Sequence, residues 1–241
     1  MRLVLPLLAS LLLTVGLSNI PADEVREQDT RIKELMKTSD AMEDVPFREV
    51  VQAASGHKVI KVDPALPLDQ ALLDHVTSAC GELLQWMNAP DSPIRGLRRI
   101  NEASHLVENE LFRLLTKGHY TCSIPLSTLG KAQRSGYPDL QIIHTPTGRS
   151  TYLDPKLFEI TSRASTLRTF YYEPDALTGK VQEDARHLLL GISHDGKDGA
   201  WAFTGWELID LYDFHVRLKV EFQGSNKALY QEKLLLRRSG S

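Results

Sequence analysis

Two strand-like segments flank a turn in the middle of the chain, and this feature constrains the fold more than any other. Residues 140–144 form a short apolar segment, residues 145–148 read Thr-Pro-Thr-Gly, and residues 150–158 form the second segment. Strand-like segments on either side of a turn sequence predict two antiparallel strands joined as a hairpin. Part of the core must therefore be built on a β-sheet.

Helical patterns precede the hairpin, and further strand-like segments follow it. Residues 23–43 are charged and favour a helix with few apolar positions, and residues 47–54 form a second short helical segment. Apolar positions at helical spacing predict longer helices over residues 66–87 and 94–117. Apolar runs and alternation predict further strands over residues 119–124, 185–193, 201–211 and 216–222. Helices in the first half and strands in the second indicate an α/β or α+β fold.

A segment rich in turn-forming residues suggests a domain boundary. Residues 88–93 read Asn-Ala-Pro-Asp-Ser-Pro, which neither a helix nor a strand tolerates well. We therefore expect an N-terminal helical region over residues 23–90 and a main domain over residues 91–231. Residues 232–241 are expected to form a flexible tail.

The first 22 residues predict export. Arg2 is followed by an uncharged run, rich in Leu and Val, that extends to Ala22. A positive start followed by an apolar stretch is typical of a secretory signal peptide. An uncleaved anchor is the alternative, because the run is long enough to span a bilayer. Pro6 within the run favours a leader, so the mature protein is expected to be periplasmic or secreted, without a membrane span.

The overall charge restricts how the chain can contact nucleic acid. The 28 basic and 31 acidic residues give a formal net charge of -3. Strong binding of nucleic acid through bulk positive charge is therefore excluded, and any such contact must come from a local basic patch. The sequence also lacks a P-loop, a G-x-S-x-G elbow and an H-E-x-x-H motif.

The two cysteines have two possible states. Cys80 lies in a predicted helix and Cys122 in a predicted strand. In an exported protein an even number of cysteines favours a disulfide between them. Two buried free thiols are the alternative, and the spacing does not suggest a zinc site.

Two carboxylates and a lysine are expected to meet on the predicted hairpin. Asp154 and Lys156 are two residues apart on one strand, so their side chains point to the same face. Asp139 begins the neighbouring strand and can lie opposite this pair. Carboxylates are ligands for Mg²⁺, and a metal with a lysine beside it can activate water and stabilise charge on a phosphate. The alternative is a surface salt bridge between Asp154 and Lys156.

The segments Pro138-Asp139 and Asp154-Pro155-Lys156 resemble the PD-(D/E)XK motif of restriction-endonuclease-like nucleases. This resemblance implies a central mixed β-sheet flanked by helices, Mg²⁺ or Mn²⁺ as the cofactor and nucleic acid as the substrate. It implies that Asp139 and Asp154 bind the metal, that Pro155 offers its carbonyl and that Lys156 assists the attacking water. Pro155 departs from the usual pattern, because a proline cannot donate to the strand ladder.

The same family places an acid on the helix before the hairpin. Glu110 is the candidate for a catalytic and metal-binding role, because it lies on the apolar stripe between Val107 and Leu111. An acid on a buried stripe needs a cationic partner. Glu102 and Glu108 fall away from the stripe and are expected to be solvated.

Several arginines near the motif are candidates for binding phosphate. We expect Arg134, Arg163 and Arg168 to contact the substrate; ordinary surface charge is the alternative. The sequence thus predicts an exported Mg²⁺-dependent nuclease. A catalytically inactive exported binding module with the same fold is the second hypothesis, and export favours it because restriction-type enzymes normally work in the cytoplasm.

Overall fold

The structure is a computed structural model that describes residues 22–166, 170–174, 179–221, 223–229, 231–234 and 236. Its helices are α1 (Ala22–Ala41), α2 (Phe47–Ser55), α3 (Pro67–Asn88), α4 (Ser104–Leu115) and α5 (Asn226–Leu229). Its strands are β1 (Val45–Pro46), β2 (Val59–Ile60), β3 (Tyr120–Ser123), β4 (Leu140–His144), β5 (Arg149–Glu159), β6 (Ala185–His194), β7 (Phe203–Asp210) and β8 (His215–Val216). Single 3-10 turns occur at Ile100–Ala103, Ile160–Ser162, Leu211–Asp213 and Glu232–Leu234.

A mixed sheet lies at the centre of the described residues, as predicted. It has six strands in the order β2-β6-β5-β4-β3, and β7 also pairs with β6. The β5–β6 and β2–β6 pairs are parallel, whereas β3, β4 and β7 pair antiparallel with their neighbours. The predicted hairpin is the β4–β5 pair, with Leu140 opposite Leu153.

Helices cover the two faces of this sheet. Leu83 of α3 and Leu111 of α4 pack with Leu153 and Leu188 in the larger core. On the opposite face, Phe47 of α2 centres a smaller aromatic core. Among the aromatic rings in edge contact with Phe47 are Tyr137, Phe170 and Tyr172. The arrangement is a mixed α/β fold consistent with a restriction-endonuclease-like core.

The helix predicted from residue 94 begins at Ser104 instead. Gly96 follows Pro93 closely, which disfavours a helix over this segment. The carbonyl of Leu97 accepts hydrogen bonds from Trp201 Nε1 at 2.7 Å and from the Gly199 N–H at 3.2 Å. Because these bonds tie residues 94–99 to the β6–β7 loop, the helix starts only after them. The strand predicted over residues 216–222 is likewise shortened to β8.

The chain divides into two compact units. One unit runs from Asp44 to Val216, and the other combines the chain up to Glu43 with the chain from Arg217 onward. Within the first unit, β2 pairs with β6, and α3 packs against the same sheet as the hairpin. Of the predicted tail, only residues 232–234 and 236 are described.

The predicted leader lies outside the described residues, apart from Ala22. Across the part of the chain that is described, no helix is long and apolar enough to cross a membrane.

The predicted disulfide is wrong. Cys80 of α3 and Cys122 of β3 are both free and buried. Burial raises the pKa of each thiol to about 12, although a backbone hydrogen bond opposes this for Cys122. Both thiols therefore act as small apolar groups of the larger core.

Candidate active site

The β4–β5 hairpin brings the predicted cluster together. Since Leu140 pairs with Leu153, Asp154 is the next residue along β5 and Asp139 is the residue directly before β4. Side chains alternate along β5, so Leu153 faces the larger core while Asp154 and Lys156 face the opposite side with Tyr152. The strand pattern alone thus sets which face carries the charged groups.

Lys156 lies between the two carboxylates. Its Nζ is 2.7 Å from Asp154 Oδ2 and 3.5 Å from Asp139 Oδ2. The side chain of Asp154 is only 2% exposed, whereas that of Lys156 is 33% exposed. The cluster is therefore closed on the side of the sheet and open to solvent at the lysine.

The charges of this cluster are strongly coupled. Burial raises the pKa of Asp154 to about 7; Lys156 opposes this rise, and the neighbouring Asp139 adds to it. Burial disfavours the charged form of Lys156, but attraction to Asp154 and Asp139 outweighs it, so the pKa of the lysine is raised. Lys156 is thus a hydrogen-bond donor that carries its positive charge at neutral pH.

The cluster offers oxygen ligands to a hard cation. Despite its ion pair with Lys156, Asp154 Oδ2 is a buried oxygen without a directed hydrogen bond from any residue that the structure describes. No group of three or more His, Cys, Asp or Glu side chains arranged for a metal occurs among those same residues. Mg²⁺ is commonly held by one or two carboxylates together with water and substrate phosphates, so this donor set fits such an ion.

Pro155 is accommodated because β4 ends before it. The β4–β5 ladder stops at Leu153, whereas β6 pairs with β5 through Glu159. Pro155 therefore has a described partner strand on one side only. This is the kind of position at which a strand tolerates the missing N–H.

Two acidic residues of α4, Glu108 and Glu110, differ in their ion-pair partners, and Glu108 is less exposed than expected. Glu108 is half-buried, and burial followed by repulsion from Asp139 raises its pKa against the opposing effect of Arg134. It pairs with Arg134 at 2.9 Å, so the expectation that it is solvated is wrong. Glu110 is also half-buried, but its partner is Arg113, one turn along the same helix.

Two comparisons with known proteins bear on this site. The model of the type II restriction enzyme MjaV family matches residues 41–233. The chain belongs to this family. It is also 28% identical over 205 residues to the type II restriction enzyme MjaV of Methanocaldococcus jannaschii, across 81% of this chain and 89% of that protein. The stretch matched by the MjaV family contains Asp139, Asp154 and Lys156.

The three arginines predicted to contact substrate have different surroundings in this MjaV-family protein. Arg134 joins α4 to the loop before β4, with Glu108 at 2.9 Å and Asn109 at 2.6 Å. Arg163 is exposed and pairs with Glu207 of β7 at 2.9 Å. Arg168 lies outside the described residues. Of the described pair, Arg134 is the one whose partner is electrostatically coupled to Asp139.

A second lysine of this MjaV-family site has no sequence signal. Lys180 is buried, and its Nζ donates to the Gln133 carbonyl at 3.3 Å. Burial lowers the pKa of Lys180, while Asp139, Asp154 and Glu108 act in the opposite direction. Lys180 lies in a loop that has no periodic pattern and no motif. Only the folded structure shows that it interacts electrostatically with these carboxylates.

Proposed function

We propose that this protein is a metal-dependent DNA endonuclease of the PD-(D/E)XK type. The observation that carries the proposal is the position of Lys156 Nζ, within 3.5 Å of both motif carboxylates. Membership of the MjaV family supports DNA as the substrate. Mg²⁺ or Mn²⁺ is the proposed cofactor, since both ions accept carboxylate oxygen ligands.

The residues of the cluster divide the work. Asp139 and Asp154 would hold the ion, which when bound polarises the phosphodiester and its attacking water. Lys156 donates a hydrogen bond from the open side of the cluster, where it orients the water and balances charge on the phosphate. Asp154 is buried against the sheet while Lys156 is partly exposed, so water and substrate would reach the site past the lysine.

The site has a third acid in this proposal, and Glu108 is preferred to Glu110. Glu108 is electrostatically coupled to both Asp139 and Lys156. Glu110 instead forms its ion pair with Arg113, whose side chain is exposed. Glu108 would therefore assist the metal ligands, and Arg134 would hold it in place until the ion binds.

Plasmid cleavage in Mg²⁺, Mn²⁺ or EDTA tests the proposal. Asp154→Asn should weaken Mn²⁺ binding measured by calorimetry and also reduce cleavage. Lys156→Ala should leave metal binding intact but slow cleavage by about 10²-fold or more, as expected for a positioned catalytic group.

Two surface variants serve as controls for this assay. Asp91→Asn removes an exposed carboxylate, and Lys197→Ala removes an exposed lysine of the β6–β7 turn. Both should cleave like the wild type. A wild-type protein that binds DNA, takes up no divalent ion at millimolar concentration and leaves plasmid and RNA intact would instead be the inactive binding module.

A further inference from the structure

A small pocket lies on the other face of the sheet, under the first turns of α3. Its polar lining comes from four elements of the fold, namely α3, β3, the β4–β5 hairpin and the start of β6. The polar side chains are Asp69, Tyr120, His144, Arg149, Thr151 and Arg186. Thr151 shares a face with Leu153, so the pocket and the Asp154 carboxylate lie on opposite faces of β5.

Positive charge exceeds negative charge in this pocket. Both arginines point at one oxygen, with Arg186 Nη2 at 2.7 Å and Arg149 Nη2 at 3.2 Å from Asp69 Oδ1. The other oxygen of Asp69 accepts the N–H of Asp63 at 3.0 Å. One carboxylate therefore serves two guanidinium groups, which leaves a positive charge for a further anion.

Two buried hydrogen-bonding groups of the pocket have no partner in the described ranges. They are the hydroxyl of Tyr120 and Nε of Arg186. Tyr120 is 9% exposed and Arg186 is 3% exposed, so both side chains are buried away from the surface. Burial raises the pKa of Tyr120, which keeps its hydroxyl protonated and able to donate. A buried donor without an acceptor is costly, so both groups call for an acceptor inside the pocket.

The size of the pocket limits what can enter. The space open to the centre of a water molecule is about 10 Å³, which is room for about one oxygen atom. Arg149 lines this space, and its side chain is 31% exposed. This shape suits a chemical group that places one oxygen atom in the space and has its remaining atoms in contact with Arg149.

We propose that this pocket binds a phosphate group, with one oxygen held between the Tyr120 hydroxyl and Arg186 Nε and the rest of the group against Arg149. Planar guanidinium groups suit such an oxyanion, because their N–H donors match the spacing of its oxygens. The phosphate comes either from solution or from a DNA backbone. The site does not depend on the catalytic assignment.

Isothermal titration with inorganic phosphate in metal-free buffer tests this site. The wild type should bind phosphate, and Tyr120→Phe and Arg149→Gln should each weaken binding by roughly tenfold or more, as expected for the loss of a hydrogen bond to a charged group. Lys197→Gln, which removes an exposed charge elsewhere, should bind like the wild type. Tyr120→Phe removes only a hydroxyl, so it carries the test even where Arg149→Gln fails to fold.

A short duplex without terminal phosphates identifies the source. If the duplex displaces phosphate and binds more weakly to Tyr120→Phe, the natural ligand is a backbone phosphate. If the duplex leaves bound phosphate in place, the ligand is phosphate from solution. No heat and no thermal stabilisation in tens of millimolar phosphate would overturn the proposal, as would unchanged affinity in both pocket variants. Cleavage results do not enter either outcome, so this test is separate from that of the nuclease.

Discussion

At the scale of single residues, the two α4 acids provide a direct test of the site. Glu108→Gln should reduce cleavage by about 10²-fold, because it removes a charge coupled to Asp139 and Lys156. Glu110→Gln should leave the rate within a few-fold of the wild type, because this side chain pairs with the exposed Arg113. Single-turnover rates in saturating Mg²⁺ measure both. The reverse ranking would return the role to Glu110.

The buried His187 predicts how stability depends on pH. It contacts Tyr137 Oη through Nδ1 at 2.7 Å, and burial lowers the pKa of His187 from 6.5 to about 3. Between pH 6.5 and about pH 3, His187 is therefore protonated in the unfolded chain but stays neutral in the folded chain. The free energy of unfolding should fall toward pH 3, by up to about 1.4 kcal/mol per pH unit from this group alone.

Urea unfolding of wild type and His187→Asn between pH 7 and pH 4 checks this expectation. The asparagine keeps a polar atom near the position of Nδ1 but does not titrate. Its free energy of unfolding should therefore vary less with pH than that of the wild type, whatever its absolute value. Equal slopes for the two proteins would mean that His187 becomes protonated in the folded state.

Which site residues the sequence reveals depends on how local their geometry is. Asp154 and Lys156 follow from the two-residue period of a strand, and Asp139 follows from the hairpin register. The role of Glu108 does not follow from the sequence. The apolar stripe of the helix shows which residues face the core, but it does not show which residues beside the stripe lie next to β4. Lys180 lies in a loop, where no period exists and only tertiary structure sets its surroundings.

At the scale of secondary-structure elements, the same distinction holds. The helix α3 and the strands β4, β5 and β6 were predictable because their apolar periods extend over several residues. The start of α4 was not, since the bonds that hold Leu97 come from Trp201 and Gly199, about a hundred residues away in sequence. Contacts that distant in sequence override local propensity.

The packing of α3 on β3 predicts the oxidation state of the two cysteines. Both thiols are buried in the larger core and free, so titration of denatured, unreduced protein should count two thiols per chain. A reducing agent should leave the melting temperature unchanged, because no cross-link restrains the unfolded chain. A count near zero free thiols would show that Cys80 and Cys122 form a disulfide.

At the scale of the whole molecule, export is a separate proposal that rests on residues 1–22 alone. The MjaV-family match begins at residue 41, so it does not bear on this segment. Expression with the segment intact should yield a mature protein that begins near residue 19 or 23, outside the cytoplasm. Intact-mass measurement of the purified protein checks this. A chain that starts at Met1 and stays in the cytosol would count against export.

The alternation along β5 links activity to correct folding. Leu153 and Leu157 face one side of the sheet while Asp154 and Lys156 face the other. If this strand shifted by a single residue against β4 or β6, Asp154 and Lys156 would face the apolar core. Leu153 and Leu157 would then face the proposed site. Such a misaligned chain would lose its stability and its chemistry together. For the proposed nuclease, cleavage in a refolding experiment is therefore a direct assay of strand alignment, more specific than circular dichroism, which reports only how much β-structure has formed.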